Sequence, residues 1–64
     1  MDVQSIGAWI RNLKPGGLLI LHAKTENDFQ EILKIFYQVS AEFETKGWGL
    51  SLFRSYDTVI CNCH

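Results

Sequence analysis

Several classes of protein are excluded by what the sequence lacks. Its 6 basic and 7 acidic side chains nearly balance, so there is no positive surplus with which to collect the phosphates of a nucleic acid. Its longest apolar run, Leu18 to Leu21, is far too short to span a membrane, and no secretory signal is visible at the N-terminus. We therefore expect a cytoplasmic protein without a membrane span, and its charge does not support nucleic-acid binding by this segment alone.

Cysteine is scarce as well, since only Cys61 and Cys63 occur. Two residues apart on an extended segment, they are poorly placed to form a disulfide with each other, and we expect reduced thiols. A chain of 64 residues buries only about 60% of the surface that its unfolded form exposes, so its stability is expected to be marginal. Small scaffolds usually compensate with disulfides, a metal or a partner. No repeat or linker divides the chain, which predicts that residues 1–64 are one segment of a single domain.

Apolar residues are plentiful, at 47% of the chain, and their spacing predicts the first elements. Val3, Ile6, Ile10 and Leu13 recur at helical intervals. Asp2 is a suitable N-cap, and the helix should end before Pro15. Leu18 to Leu21 then forms a continuous apolar run after two glycines. Apolar side chains on both faces predict a strand that is covered on both sides, as in a parallel sheet.

The second helix has the clearest pattern. Asn27, with Gln30 three residues later, resembles a capping box, and Asp28 suits the first turn. Lys46-Gly47 suits the end of the helix, because glycine readily adopts the left-handed cap conformation. The predicted buried stripe consists of Phe29, Ile32, Leu33, Phe36, Val39 and Phe43.

The remaining residues alternate as strands do. Trp48, Leu50 and Leu52 are predicted to point to one face of a strand. Val59, Cys61 and Cys63 likewise share one face of the next strand, and Ile60, Asn62 and His64 share the other. Ser55-Tyr56-Asp57 between them suits a hairpin turn. The predicted fold is therefore of the α/β class, with the order α-β-α-β-β and an antiparallel pair at the end.

This order, together with Leu13-Lys14-Pro15-Gly16-Gly17 before an apolar strand, resembles the C-terminal part of class I S-adenosylmethionine-dependent methyltransferases. In that family a similar segment leads into the fifth strand of a Rossmann-like sheet. A helix and an antiparallel pair, formed by the sixth and seventh strands, then close the sheet. The resemblance spans all 64 residues. It implies that the chain is part of a methyltransferase domain and that its main partner is the N-terminal half of that domain.

The resemblance also implies where the cofactor would bind. The family holds S-adenosylmethionine with a glycine-rich turn after the first strand and an acidic residue at the end of the second, and neither feature is present. The one Gly-x-Gly, Gly47-Trp48-Gly49, lies between a helix and a predicted strand, whereas a cofactor turn follows a strand and opens a helix. We expect no cofactor-binding residue in this chain, and the cofactor is implied for the complete domain only.

His22 and Lys24, which follow the apolar strand, are candidates for a catalytic or substrate-placing role. Ligands of open α/β sheets bind beyond the carboxyl ends of strands, and His22 and Lys24 follow such an end. His22 would exchange a proton near neutral pH, and Lys24 would attract an anionic substrate. The alternative is a solvated loop that only connects a strand to a helix.

Two further groups of residues have side chains that occur in metal or base-binding sites. Cys61, Cys63 and His64 have zinc-ligand side chains, but His64 would face away from the cysteines and no second ligand pair follows, so no metal is expected. The aromatic residues Trp9, Phe36, Trp48 and Phe53 are interpreted as packing residues and not as a platform for bases. Phe53 and Tyr37 lie off the main stripes, which favours them for contact with the rest of the domain.

The sequence thus predicts a partial methyltransferase domain that contributes a substrate-side wall and is inactive alone. A non-enzymatic α/β interaction module is the alternative, with dimerisation or docking through a sheet edge. A methyltransferase-like domain that has lost its cofactor site is a third possibility, because a fold does not guarantee an activity.

Overall fold

The structure, a computed structural model, describes residues 2–64. Its elements are α1 (Val3–Arg11), β1 (Leu18–His22), α2 (Glu26–Glu44), β2 (Leu50–Ser55) and β3 (Thr58–Cys63). The chain is therefore a small α/β fold with two helices and a three-stranded antiparallel sheet. The predicted order of elements and the antiparallel pair at the end are confirmed.

Helix α1 begins as the sequence predicts. Asp2 is its N-cap, and the Asp2 carboxylate accepts hydrogen bonds from the backbone N–H and the hydroxyl of Ser5. The helix ends at Arg11, ahead of Pro15. Ile6 and Ile10 are buried as predicted, whereas Val3 lies in the first turn and is exposed.

Helix α2 corrects the predicted N-cap. Thr25, and not Asn27, is the cap: its backbone is extended, and its hydroxyl accepts a hydrogen bond from the N–H of Asp28 at 3.1 Å. Asn27 lies inside the first turn, where its backbone is helical. Starting the helix at Glu26 places two acidic residues, Glu26 and Asp28, at the positive end of the helix dipole.

The buried stripe of α2 also differs in part from the predicted one. Ile32, Val39 and Phe43 are buried as predicted, while Phe29, Leu33 and Phe36 are only half-buried. Ile35, which the prediction did not include, is buried because α1 packs against α2 there, beside Gly7. The helix ends at Glu44, and Gly47 takes the left-handed conformation expected of it, with φ of 75°.

The sheet has the order β1-β3-β2, and β3 runs antiparallel to both neighbours. β1 and β2 therefore point in the same direction, and α2 connects them across one face of the sheet. The predicted hairpin is confirmed, and its turn consists of Tyr56 and Asp57, with Tyr56 at a left-handed φ of 55°. The glycine loop before β1 extends the pairing, because the N–H of Gly16 donates to the carbonyl of Cys63 at 2.8 Å.

The two faces of the sheet have different surroundings. The inner face packs on the helices and carries Val59, Cys61 and Cys63, which are fully buried. The outer face carries every other side chain of each strand and has no cover among residues 2–64. Leu18 and Ile20 of β1 are accordingly 63% and 60% exposed. The predicted strand is confirmed. Of the two faces that were predicted to be covered, residues 2–64 cover the inner one and leave the outer one exposed.

The corrected N-cap gives a test of the fold with a matched control. Thr25→Ala removes the hydroxyl that accepts from Asp28 and is expected to lower the free energy of unfolding by about 1 kcal/mol. Asn27→Ala, two residues later in the same turn, is expected to change it by less than about 0.5 kcal/mol. Urea unfolding of both variants measures the difference. A larger loss for Asn27→Ala than for Thr25→Ala would contradict the cap in the structure.

Candidate functional site

The parallel orientation of β1 and β2 brings their carboxyl ends to one edge of the sheet. His22 at the end of β1 and Ser55 at the end of β2 flank Thr58, the first residue of β3, in a single cross-strand row. All three side chains lie on the outer face. We call this row, with the adjoining loop 23–25 and turn 56–57, the carboxyl edge. In open, mostly parallel α/β sheets ligands bind beyond this end of the strands. Here β3 runs in the opposite direction between β1 and β2, so its amino end lies at the same edge.

The two predicted site residues both lie at the carboxyl edge. His22 and Lys24 are exposed, and within residues 2–64 neither side chain takes part in a hydrogen bond or an ion pair. Ala23 between them is buried, and its N–H donates to the carbonyl of Asp57 at 2.7 Å. The loop is thus anchored by Ala23, while the imidazole and the ammonium group remain accessible.

Arg54 is the main residue at this edge that the sequence did not single out. Its guanidinium donates to the carboxylate of Glu26 at 2.6 Å and to the carbonyl of Tyr56 at 2.9 Å. It also lies over the ring of Phe29, 4.1 Å from the centroid. The hydrogen bond from Arg54 lowers the pKa of the Glu26 carboxyl from its usual value. Arg54 therefore ties the hairpin turn to the N-terminus of α2.

A weak signal for this arrangement exists in the sequence. Arg54 occupies an inward position of β2, in register with buried Val59, where the alternating pattern calls for an apolar side chain. A long cationic side chain at such a position is expected to seek an acidic or aromatic partner. Glu26 and Phe29 supply both from the first turns of α2.

The residues with zinc-ligand side chains are not brought together. Cys61 and Cys63 are fully buried on the inner face, and His64 is exposed at the end of the chain. The ring of His64 lies against Gly49, where an added Cβ would be 2.7 Å from the ring Nδ1. No group of three or more metal-ligating side chains occurs in the part of the chain that the structure describes.

The described residues form neither a cavity nor a membrane span. The carboxyl edge is an open surface, and no pocket is present anywhere in residues 2–64. Neither helix among these residues is long and apolar enough to cross a bilayer.

The role of Arg54 is testable by amide exchange. Arg54→Ala removes the contact with Phe29, worth ~0.5–1 kcal/mol, and frees the turn, so the N–H of Ala23 is expected to exchange faster. Arg11→Ala is the matched control, because it removes the ion pair with Glu42 between the two helices, away from the edge. Hydrogen exchange of the Ala23 amide, corrected for global stability, measures the effect. Equal acceleration in both variants would contradict a local role.

The buried thiols give a prediction about pH. Burial raises the pKa of Cys61 from 9.0 to about 11, so the folded state keeps a proton that the unfolded state releases. The contribution to stability is full below pH 9 and is lost as the pH rises toward 11. Between pH 9 and pH 11 the urea midpoint is expected to fall more steeply with pH for the natural chain than for Cys61→Ala. The variant keeps all the other titrating groups, so the difference in slope reports on Cys61. Identical slopes would refute the assignment.

Comparison of the chain with protein-family models, with curated proteins and with solved structures gave no match.

Proposed function

We propose that this chain is the C-terminal part of a Rossmann-like domain of the class I S-adenosylmethionine-dependent methyltransferase type. In this proposal the chain supplies the last three strands of the domain's sheet and two helices that pack on it, together with a wall on the substrate side. Methyl transfer is then an activity of the complete domain. The residues of the chain itself contribute packing and part of the carboxyl edge.

The connection from β1 through α2 to β2 is the observation that carries the proposal. Two strands that point the same way and are joined by a helix form a βαβ unit, the repeating element of doubly wound α/β sheets. Here the unit is split, because β3 returns antiparallel between its two strands. An α/β sheet that ends in an antiparallel strand is a common arrangement.

The glycine loop supports the same proposal. Leu13-Lys14-Pro15-Gly16-Gly17 joins α1 to β1, as the resemblance implies, and Gly16 takes a left-handed φ of 93° that favours glycine. The backbone of the two glycines also pairs with the end of β3. The motif thus has a structural reason at its position, namely the tight entry into β1.

The open surfaces of the sheet are where the rest of such a domain would pack. β1 is an edge strand, and a parallel neighbour would continue the sheet there. The outer face, with Leu18, Ile20 and Phe53 exposed, would receive a second layer of helices. In a complete domain both faces of β1 would be buried, as its apolar sequence predicts.

The residues of this chain do not fit a cofactor site. Gly47-Trp48-Gly49 follows a helix and leads into β2, which is the reverse of a cofactor-binding turn. Residues 2–64 also form no cavity. We therefore assign no S-adenosylmethionine contact to the chain. His22 is proposed to exchange a proton with a substrate, and Lys24 is proposed to attract an anionic one.

A second candidate is favoured by the unpaired edge of β1. The backbone groups on that edge have no partner strand among residues 2–64, so a non-enzymatic interaction module would dock or dimerise there. This candidate requires no cofactor and no second half of a domain. It predicts the opposite result in the experiment that follows, namely that the longer product does not bind S-adenosylhomocysteine.

The proposal is tested by titration with S-adenosylhomocysteine. The protein produced from this chain together with the coding sequence that precedes Met1 is expected to bind, with a Kd in the micromolar range, and the 64-residue chain alone is expected not to. Isothermal calorimetry measures both. Binding by the 64-residue chain would overturn the assignment of the cofactor site to other residues. Absence of binding by the longer product would overturn methyl transfer as the activity and leave the interaction module or a methyltransferase-like domain that has lost its cofactor site.

A further inference from the structure

The outer face of the sheet has an unusual composition for a surface in contact with water. Charged residues make up 20% of the chain, yet none of the side chains on this face is Lys, Arg, Asp or Glu. The solvated face of an antiparallel sheet normally carries polar and charged side chains. The nine outer-face residues are Leu18, Ile20, His22, Ser51, Phe53, Ser55, Thr58, Ile60 and Asn62.

The arrangement of these side chains is that of an interface. The central cross-strand row consists of Ile20, Ile60 and Phe53, one from each strand, and Phe53 is 63% exposed. The rows on either side are mostly uncharged and polar. Protein interfaces combine an apolar centre depleted of charge with a polar rim, and they are enriched in aromatic residues.

The area of the face is sufficient for a weak but specific contact. The described part of the molecule measures 32 × 20 × 14 Å, and the shortest dimension corresponds to one helix layer on one sheet layer. The sheet fills only part of the broad side of the molecule, so the outer face contributes at most on the order of 500 Å² per molecule. Two such faces placed against each other remove at most on the order of 1,000 Å², which is near the lower limit for a specific interface.

The central row is complementary to a second copy of itself. A two-fold axis parallel to the strands places the middle strand of one copy on the middle strand of the other, so Ile60 meets Ile60. The same axis exchanges the outer strands, so Ile20 of each copy meets Phe53 of the other, a smaller side chain against a larger one. Each of the two end rows then lies on the same row of the other copy, at the rim of the interface.

We propose that the 64-residue chain forms a homodimer in which the outer faces of two sheets pack against each other. Two three-stranded sheets at the usual distance of about 10 Å would make a sandwich with the helices on the outside. This inference rests on the composition and geometry of the outer face and does not depend on the methyltransferase proposal. It differs from pairing through the edge of β1, which would leave Phe53 exposed.

The experiment is sedimentation equilibrium of the 64-residue chain. The apparent mass is expected to rise from that of one chain toward that of two as the concentration increases through the micromolar range. Phe53→Glu buries a charge without a partner at each end of the central row and is expected to raise the dimer dissociation constant at least about tenfold. Tyr37→Glu is the matched control, because Tyr37 is similarly exposed, at 66%, but lies on α2. It is expected to leave the constant unchanged.

Several results would overturn the homodimer. One is a single-chain mass at every concentration, and another is an unchanged dissociation constant in Phe53→Glu, as pairing through the edge of β1 would give. Circular dichroism checks that each variant folds. If Phe53→Glu does not fold, Phe53→Thr replaces it, since threonine suits a strand and still removes the apolar contact. Failure here is distinct from failure of the methyltransferase proposal, which is decided by cofactor binding to the longer product.

Discussion

Because β1 and β2 run in the same direction, the chain must cross one face of the sheet between them, and α2 makes this crossing. The apolar stripe of α2 is buried against the inner face, where Val59 and Cys61 are fully inaccessible to water. α1 then packs beside α2 on the same face. The contact between α2 and the inner face is thus the interaction on which the other features of the molecule depend.

This packing has two consequences for function. First, it aligns the carboxyl ends of β1 and β2, so that His22, Thr58 and Ser55 form one row. Second, it places both helices on the same side of the sheet and leaves the outer face uncovered. The candidate site and the proposed dimer surface are therefore neighbours, because the row at the carboxyl edge is also one rim of the outer face.

The sequence predicted most of the elements because their signals are local. Asp2, Pro15 and Gly47 act through the backbone of their own or adjacent residues, and each has the expected role. Thr25 and Asn27 show the limit of such signals, since both are good caps and only the backbone conformation of loop 23–25 selects Thr25.

The remaining differences between sequence and structure depend on residues far apart in the chain. Ile35 is buried because Gly7 of α1 packs against it, a contact that the periodicity of α2 does not reveal. Arg54 contacts Glu26 across 28 residues of sequence, so its role at the carboxyl edge follows only from the fold. His22 and Lys24 were placed correctly at the end of a strand, but whether a substrate binds there stays a prediction.

The two proposals for the outer face are compatible because they concern different molecules. A helix in the same polypeptide meets this face at an effective concentration that reaches the millimolar range for a short connection. A contact of about 1,000 Å² between separate chains is weak by comparison. In a complete domain the intramolecular helix would therefore displace a second copy, whereas the 64-residue chain alone has only the second copy to cover Ile20 and Phe53. An absence of charge on this face is the property that both occupants require.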